Sequence, residues 1–538
     1  MTGTRGLHEV ETVFLLLLVL VAVFAIIARR IQIPYPIVLV VAGLAISFVP
    51  GLPRISLDPN VVFLVILPPL LYSGAWLTSW REFRFNLVSI LLLAVGLVAF
   101  TVWGVAEFAD RFIPGLGWKE GFLLGAVVSP TDAIAATSIA RRLGLPRGIT
   151  DVLEGESLVN DATGLLALEF GVMMLVEGHT PTVGAGLLRM LWLIVGGCGI
   201  GLMIGVVAAW FERWVDDAPV EIVLSLVVPY VTYLAADGAK ASGVLAVVAC
   251  GLYMSRKSAV FFSARTRIQV SSAWQSLTFV LNGIVFVLIG LQLPYVVEGI
   301  RGQGVKGLIV YGAVFSVVLI VLRLVWMYPG AELAYQIRKR VLKQKLNRRG
   351  GKAVFVIGWT GMRGVVALAA AISLPETLGN GQPFAAKNLI VFLTFSVIVV
   401  TLVLQGLTLP PLIRALGLAG DEGSRVEEET ARRLVLNEVI AQLEDGRLNA
   451  GDDVATAHDY EDLLHQYGDR LEELEVVAEG DQKARGGEQR AVLMLEALTL
   501  ERRSILRLRD EGRISDDVWR TLEYEVDLSE SRVRPADM

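Results

Sequence analysis

The sequence is poor in the residue types that build metal centres and disulfide frameworks. Its 538 residues include only two cysteines and four histidines. Cys198 and Cys250 lie in separate apolar stretches, where a free thiol behaves as a small apolar side chain. The histidines lie near a terminus, in a loop or in the C-terminal tail, so we expect no histidine proton relay within the apolar part. Buried acid–base chemistry in this chain therefore falls to carboxylates.

Charged residues are also scarce, at 19% of the chain, whereas 54% of the residues are hydrophobic. This composition excludes an ordinary soluble enzyme and indicates a polytopic membrane protein. The charges are unevenly divided, because residues 416–538 carry 16 Lys and Arg against 31 Asp and Glu, and residues 1–415 carry 32 against 22. We therefore predict a transmembrane domain at 1–415 and an acidic cytosolic tail at 416–538.

Thirteen apolar segments are long enough to cross or nearly cross a bilayer, at ~20 residues for each helix. They begin near Val13, Tyr35, Pro59, Phe85, Gly121, Val152, Gly186, Val220, Ala241, Trp274, Gly307, Ala353 and Lys387. Two segments in opposite halves, 126–132 and 358–364, are broken by Pro or Gly around polar residues. Such a pair is typical of inverted-repeat transporters. The sequence thus predicts an all-α membrane fold of about 13 transmembrane helices, with two crossing discontinuous helices.

Loop charge predicts the orientation of these helices. One set of alternate loops carries most of the basic residues, including Arg141 and the run from Arg338 to Lys352. By the positive-inside rule this side faces the cytosol. We expect a multi-pass protein of the cell (inner) membrane with an external N-terminus and a cytosolic tail.

The tail is expected to be mainly helical. Within it, Leu495, Leu498, Ile505 and Leu508 fall on one face of a helix. The sequence favours a scaffolding or regulatory role for this tail, and it leaves the partner of the tail open.

Acidic residues occur inside the apolar part, where charge is costly unless it handles ions or protons. Asp132 ends the first broken segment, and the next helix carries Glu156, Ser157, Asn160 and Asp161. Residues four apart share a helical face, so Glu156 pairs with Asn160 and Ser157 with Asp161. The amide of Asn160 can donate to Glu156, and Ser157 can add a neutral oxygen beside Asp161.

Depth provides a second reason to group these residues. Counted from the nearest residues on the predicted cytosolic side, Asp132 lies nine positions in, and Asp161 and Arg363 lie eleven positions in. At ~1.5 Å per residue these positions are ~13 and ~16 Å deep, near the middle of the bilayer. An acid paired to an arginine for helix packing is the alternative for any one of them. Their common depth favours an ion site.

Pro130 is expected to support this site. It lacks an amide proton, so it frees the carbonyls of Ala126 and Val127, which must then line protein or a water-filled cavity. Arg363 can offset exposed carbonyls and neighbouring acids where the broken helices cross. Carboxylate, hydroxyl and carbonyl oxygens together suit a hard monovalent cation.

Four segments carry a resemblance to a known family. They are Gly-Ala-Val-Val-Ser-Pro-Thr-Asp-Ala at 125–133, Glu-Gly-Glu-Ser-Leu-Val-Asn-Asp-Ala-Thr-Gly at 154–164, Ser-Gly-Val-Leu-Ala-Val-Val-Ala-Cys-Gly-Leu at 242–252 and Gly-Trp-Thr-Gly-Met-Arg-Gly-Val-Val at 358–366. Together they resemble the bacterial sodium/proton antiporters of the monovalent cation/proton antiporter family. The resemblance covers roughly Val13 to Arg414.

The resemblance implies a homodimer in which core helices, about 85–178 and 307–415, move against dimerisation helices, about 13–78 and 186–293. It implies that the transported ion binds Asp161, with Asp132, Ser157, Glu156 and Thr131 around it, and that Asn160 and Arg363 have supporting roles. In this family an Asn-Asp pair, here Asn160 and Asp161, is associated with electroneutral exchange, and two aspartates with electrogenic exchange.

The expected function is exchange of cytosolic Na⁺ for external H⁺ by alternating access, serving pH and sodium homeostasis. Burial and neighbouring charges set the pKa of a carboxylic acid, so Asp161 could hold a proton or Na⁺, but not both. We expect no enzyme activity, no cofactor and no nucleic acid, and we expect the lipid bilayer and a second copy of the chain as partners. The alternatives are a K⁺ or Li⁺/H⁺ antiporter, a cation channel and a transport-derived sensor.

Overall fold

The structure is a computed structural model in which the chain divides into two units, Met1–Asp421 and Glu422–Met538. The described residues are 2–50, 57–176, 183–215, 217–261, 264–300, 305–344, 350–378, 381–420, 422–449, 454–478, 484–511, 513 and 516–533. The division falls a few residues beyond the predicted boundary after residue 415.

Helices account for nearly all of the first half of the membrane unit, because backbone groups in lipid must be satisfied within their own segment. They are α1 (Thr2–Ile31), α2 (Tyr35–Ile46), α3 (Leu67–Leu77), α4 (Trp80–Leu91), α5 (Val98–Phe112), α6 (Trp118–Val128), α7 (Ile134–Arg142) and α8 (Arg147–Val176). A π-helical segment, Val61–Ile66, leads into α3, and another, Leu92–Leu97, joins α4 to α5.

The second half of the membrane unit is built in the same way. Its helices are α9 (Val183–Glu212), α10 (Ala218–Gly238), α11 (Gly243–Phe261), α12 (Ala264–Leu291), α13 (Leu293–Gly299), α14 (Val305–Arg340), α15 (Gly351–Trp359), α16 (Val365–Ile372), α17 (Lys387–Val400) and α18 (Gly406–Leu416). The π-helical segment Thr401–Gln405 joins α17 to α18.

The predicted all-helical membrane fold is confirmed. Eight helical stretches among the described residues are long and apolar enough to cross a bilayer, and two shorter apolar ones, Tyr35–Ile46 and Val61–Leu77, accompany them. Several helices extend beyond the apolar runs, as where α14 continues to Arg340, because helical hydrogen bonding does not stop where the apolar residues end. The number of crossings, about 13, stays a prediction.

The two expected helix interruptions are present. The first separates α6 from α7 between Val128 and Ile134, and the second separates α15 from α16 between Trp359 and Val365. An apolar core that includes Leu39, Val287 and Leu368 surrounds them. Polar backbone at both interruptions is therefore enclosed by protein rather than by lipid.

The C-terminal unit consists of α19 (Glu422–Asn449), α20 (Val454–Ala478), α21 (Ala484–Asp510) and α22 (Asp516–Val533). Within it, Leu498 and Ile505 of α21 are buried with Val526 of α22. Arg502 forms ion pairs with Asp527 and Glu530 across the same two helices. The leucine face noted in the sequence thus packs partly against a neighbouring helix.

Candidate functional site

The two helix interruptions touch each other. The amide of Asp132, in the first interruption, donates a hydrogen bond to the carbonyl of Met362 in the second, at 2.8 Å. Pro130 lies beside α8, where a Cβ on Gly164 would come within 2.3 Å of its Cγ, so only glycine allows this approach. The first interruption is therefore held between α8 and the second.

Arg363 stabilises the crossing point. Its side chain is buried, its Nε donates to the carbonyl of Val128 at 3.1 Å, and its guanidinium also donates to the carbonyl of Gly361. Its own amide donates to Oγ1 of Thr401 at 3.2 Å, in the π-helical segment before α18. A cation at the C-terminal ends of two helices balances their exposed carbonyls.

Arg363 binds a different carbonyl from the two that Pro130 was expected to free. Ala126 accepts a hydrogen bond from Oγ of Ser129 at 3.1 Å, so the hydroxyl of the following turn satisfies it. The last carbonyl of α6, that of Val128, is the one that Arg363 binds. Helix α6 ends at Val128, two residues before Pro130. The carbonyl that needs a partner therefore lies at the end of the helix.

Glu156 forms a buried, two-point ion pair that the sequence did not predict. Arg323 of α14 donates from Nη1 to Oε1 at 2.5 Å and from Nη2 to Oε2 at 2.9 Å. The side chain of Glu156 is 2% exposed, and that of Arg323 is 1% exposed. Arg323 also donates to the carbonyls of Gly358 and Ile357 at 3.2 Å, near the end of α15. The only sequence signal for this role was a lone arginine inside a long apolar run.

Asn160 does not donate to Glu156 as expected, because Thr131 lies between them. Nδ2 of Asn160 donates to Oγ1 of Thr131 at 2.8 Å, and Oγ1 of Thr131 donates to Oε1 of Glu156 at 3.1 Å. This chain ties the first interruption to α8 and, through Arg323, to α14. It leaves Oδ1 of Asn160 buried without a hydrogen-bond partner among the described residues.

A cavity of about 480 Å³ leads to the remaining predicted residues. Asp132, Asp161, Ser157, Thr131 and Pro130 line it, whereas Glu156, Asn160 and Arg363 are not among its lining residues.

The two aspartates and the serine differ in their contacts. Asp161 is buried, and Oδ1 of Asp132 accepts the amide of Ile134 at 2.8 Å. Oγ of Ser157 accepts the amide of Ala133 at 3.4 Å.

The mouth of this cavity carries the ion pair of Arg141 and Glu154, with Nη2 and Oε1 2.7 Å apart. Further polar residues in the lining include Tyr35 of α2 and Thr278 and Asn282 of α12. Neither Tyr35 nor Asn282 is among the site residues that the sequence predicts. Their positions depend on how α2 and α12 pack against the broken helices.

The backbone of the second interruption comes close to Asp132. A Cβ on Gly364 would lie 2.6 Å from Oδ2 of Asp132, which is closer than real contacts allow. Gly364→Ala should therefore displace this carboxylate and slow cation exchange roughly 100-fold, the size of effect expected from moving a reacting group by about 1 Å.

The matched control is Gly307→Ala, where no atom lies within 4 Å of the added Cβ. Both variants are purified, their monodispersity is compared, and exchange is measured in proteoliposomes. Wild-type exchange by folded Gly364→Ala would show that the position of Asp132 does not control exchange.

Comparisons with known proteins agree with this architecture. A family model described as "Sodium/hydrogen exchanger, transmembrane" matches residues 16–415. The chain is 32% identical to an uncharacterized Na⁺/H⁺ exchanger of Mycobacterium bovis over 100% of both chains. It is also 32% identical to the sodium, potassium, lithium and rubidium/H⁺ antiporter of Bacillus pumilus, over 88% of this chain and 73% of that protein.

Among solved structures, the chain is similar to the sodium proton antiporter MjNhaP1 from Methanocaldococcus jannaschii at pH 8. The TM-score is 0.60 at 20% identity, with 76% of this chain and 99% of that chain covered. At this identity the likeness concerns the fold.

Proposed function

Since the chain belongs to the sodium/hydrogen exchanger family, a family of transporters rather than enzymes, we propose that it exchanges cytosolic Na⁺ for external H⁺ with Asp161 as the carrier. One observation supports this assignment above the others. Asp161 and Asp132 line one cavity, and Arg141, its only basic lining residue among those described, is already paired with Glu154 at the mouth. Carboxylates without a basic partner at this depth in the membrane are stabilised by binding a proton or a cation.

The ligand set follows from what remains available. Asp161, Asp132, Ser157 and Thr131 present oxygens to the cavity, as a hard cation requires. Both carboxylate oxygens of Glu156 already bind Arg323, so we leave Glu156 out of the ligand set. Glu156, Asn160 and Arg363 then hold the broken helices in place around the ion.

Coupling follows from competition at Asp161. A carboxylate that has bound Na⁺ cannot hold a proton at the same time, and the empty charged form is costly to move through the membrane. If the core helices move only when Asp161 carries one of the two ions, exchange is obligatory. The cavity opens on the side of Arg141, which loop charge assigns to the cytosol, so this state would receive Na⁺ from inside.

The protein would lie in the cell membrane as a homodimer, with its N-terminus outside and its tail in the cytosol, and would serve sodium and pH homeostasis. Everted vesicles test the assignment, because addition of Na⁺ should collapse an imposed proton gradient. Flux beyond carrier rates that is uncoupled from protons would instead favour a channel.

Deletion of the tail tests whether the membrane unit transports ions by itself, in contrast to a sensor function. Deletion of the residues after Gly420 should leave exchange in place, with at most an altered pH dependence, if the membrane unit is the transporter. Complete loss of exchange in a stable, membrane-inserted truncation would contradict this expectation.

The second candidate is an antiporter of broader cation choice, which the name of the Bacillus pumilus relative favours. The ligand types do not distinguish Na⁺ from K⁺, Li⁺ or Rb⁺, since all four prefer oxygen. Titrating each chloride salt in the same vesicle assay measures the preference directly. Activity with K⁺ equal to that with Na⁺ would exclude Na⁺ specificity and keep cation/proton exchange.

Exchange by the wild-type protein should be insensitive to membrane potential. One cation leaves for each proton that enters, so no net charge moves, whereas each net charge would couple to voltage by about 2.3 kcal/mol per 100 mV. Proteoliposomes with potentials imposed by K⁺ and valinomycin measure how the exchange rate depends on voltage. The same assay with choline in place of Na⁺ gives the flux that K⁺ itself drives, which is then subtracted.

Asn160→Asp is the matched variant, since it adds an ionisable group beside Thr131 with little change in size. We expect its exchange rate to depend on voltage. A wild-type rate that follows the imposed potential would exclude one-for-one exchange.

A further inference from the structure

A second cavity, of about 500 Å³, lies between α4, α14 and α15, and none of its lining residues lines the ion cavity. Ion exchange at Asp161 gives this space no role. Its wall includes one half of a broken helix, at Val354 and Ile357 of α15.

The lining of this second cavity changes from polar to apolar along both helices. On α4, Glu82 and Asn86 line it near the start of the helix. Ten positions after Glu82, the lining reaches Leu92, the first residue of the π-helical segment that follows α4. On α14, Arg338 lines it near the end of the helix, and Met327 lies eleven positions earlier. At ~1.5 Å per residue the cavity therefore runs ~15 Å from a polar to an apolar end. A lipid headgroup with the first part of its acyl chains has this character and length.

Arg338 provides an unfilled hydrogen-bond donor at the polar end. The side chain is 5% exposed, its Nε donates to Oε1 of Gln344 at 2.9 Å, and its guanidinium lies 4.5 Å from the ring centre of Phe85. Nη1 is 3.5 Å from Oγ of Ser89, and Nη2 is buried with no hydrogen-bond partner in the described part of the chain. A buried donor without an acceptor is costly, and the guanidinium fork fits a phosphate group.

Acidic side chains in the same lining narrow the choice of ligand. Glu82 lies in the first turn of α4, at the polar end, and Glu332 lies deeper, with Oε1 accepting from Nε2 of Gln336 at 3.1 Å. A simple anion would meet two carboxylates, whereas a headgroup that has both a phosphate and an ammonium can bind Arg338 and Glu82 at once.

The cavity is also accessible from the side. Among its lining residues, Phe85 and Tyr328 are 41% and 51% exposed, and both lie on helices of the membrane unit. Exposed aromatic side chains on such helices face lipid or the membrane interface. A ligand can therefore enter from the bilayer.

We propose that this cavity binds an aminophospholipid of the cytosolic leaflet, with its phosphate on Arg338, its primary ammonium on Glu82 and its upper acyl chains against Leu92 and Met327. The bound lipid would fill the space behind α15 and stabilise that half-helix. This proposal does not depend on which cation the protein exchanges.

The test is native mass spectrometry of the full-length protein purified in detergent and titrated with phosphatidylethanolamine, phosphatidylglycerol or phosphatidylcholine. We expect phosphatidylethanolamine to bind preferentially. Arg338→Gln should weaken its binding about tenfold, since a charge-assisted hydrogen bond is lost. Glu82→Gln should remove the preference for ethanolamine over glycerol headgroups. The control is Arg340→Gln, an exposed arginine of the same helix end, which should leave binding unchanged.

Ala331→Phe provides a second variant that keeps Arg338, because Ala331 lines the apolar part and a larger side chain would fill it. It should weaken lipid binding in a protein that still elutes as a single species. Equal binding of phosphatidylglycerol by the wild type, or unchanged lipid binding by Arg338→Gln, would overturn the proposal. Binding of inorganic phosphate or glycerophosphoethanolamine as tight as that of the lipid would show a soluble ligand and overturn the lipid assignment.

Discussion

Asp161→Asn is expected to reduce cation/proton exchange to the level of protein-free vesicles. The amide keeps the size of the side chain but cannot exchange a proton for a cation, so the cycle has no carrier. Asp161 is buried at the cavity, and Asp132 lines the same space. Measurement of Na⁺-driven proton flux in proteoliposomes gives the rate for each variant.

Two further variants make this result interpretable. Asp237→Asn alters an exposed aspartate at the end of α10, away from the cavity lining, and should leave the rate unchanged. Asp132→Asn removes a ligand rather than the carrier, so we expect a raised KM for Na⁺ with residual exchange. Normal exchange by Asp161→Asn would mean that another group carries the ions, and Asp132 would be the next residue to test.

Loss of one partner of the Glu156–Arg323 pair is expected to have the largest effect on stability. Arg323→Met leaves a carboxylate buried without its counter-charge, which typically costs about 3–5 kcal/mol. Thermal unfolding in detergent, followed by tryptophan fluorescence, should show a large fall in the apparent Tm. The control is Arg189→Met, because Arg189 and Glu169 form a half-exposed pair at 2.9 Å, and such pairs contribute at most about 1 kcal/mol.

The double variant Arg323→Met with Glu156→Leu separates stability from transport. An apolar pair of similar volume often restores most of the stability that one unpaired charge removes. We therefore expect recovery of the apparent Tm and some remaining exchange, because Asp161, Asp132 and Ser157 are intact. A stable double variant without any exchange would mean that Glu156 takes part in ion handling, in contrast to the ligand set proposed above.

The sequence alone was sufficient for the class of protein and for the places where two of its helices are interrupted. Apolar runs determine helices in a membrane because their backbone groups have no other partner. Pro130 marks where one of these helices stops, because it removes a hydrogen-bond donor. The glycines around Arg363 mark the second interruption, and Gly364 allows the backbone there to approach Asp132. Helical periodicity brings Asp161 and Ser157 to one face. All of these are local properties, which the neighbouring residues specify.

The tertiary structure decided which partner each of these polar residues has. Arg323 lies 167 positions from Glu156 along the chain, and no local pattern relates the two residues. The same holds for Thr131, which lies between Asn160 and Glu156, and for the carbonyl of Val128 that Arg363 binds. These contacts depend on how α14 and the broken helices pack against α8. A buried charge is stable only with a well-placed partner. Packing gives Glu156 such a partner in Arg323, and it leaves Asp161 and Asp132 facing the cavity.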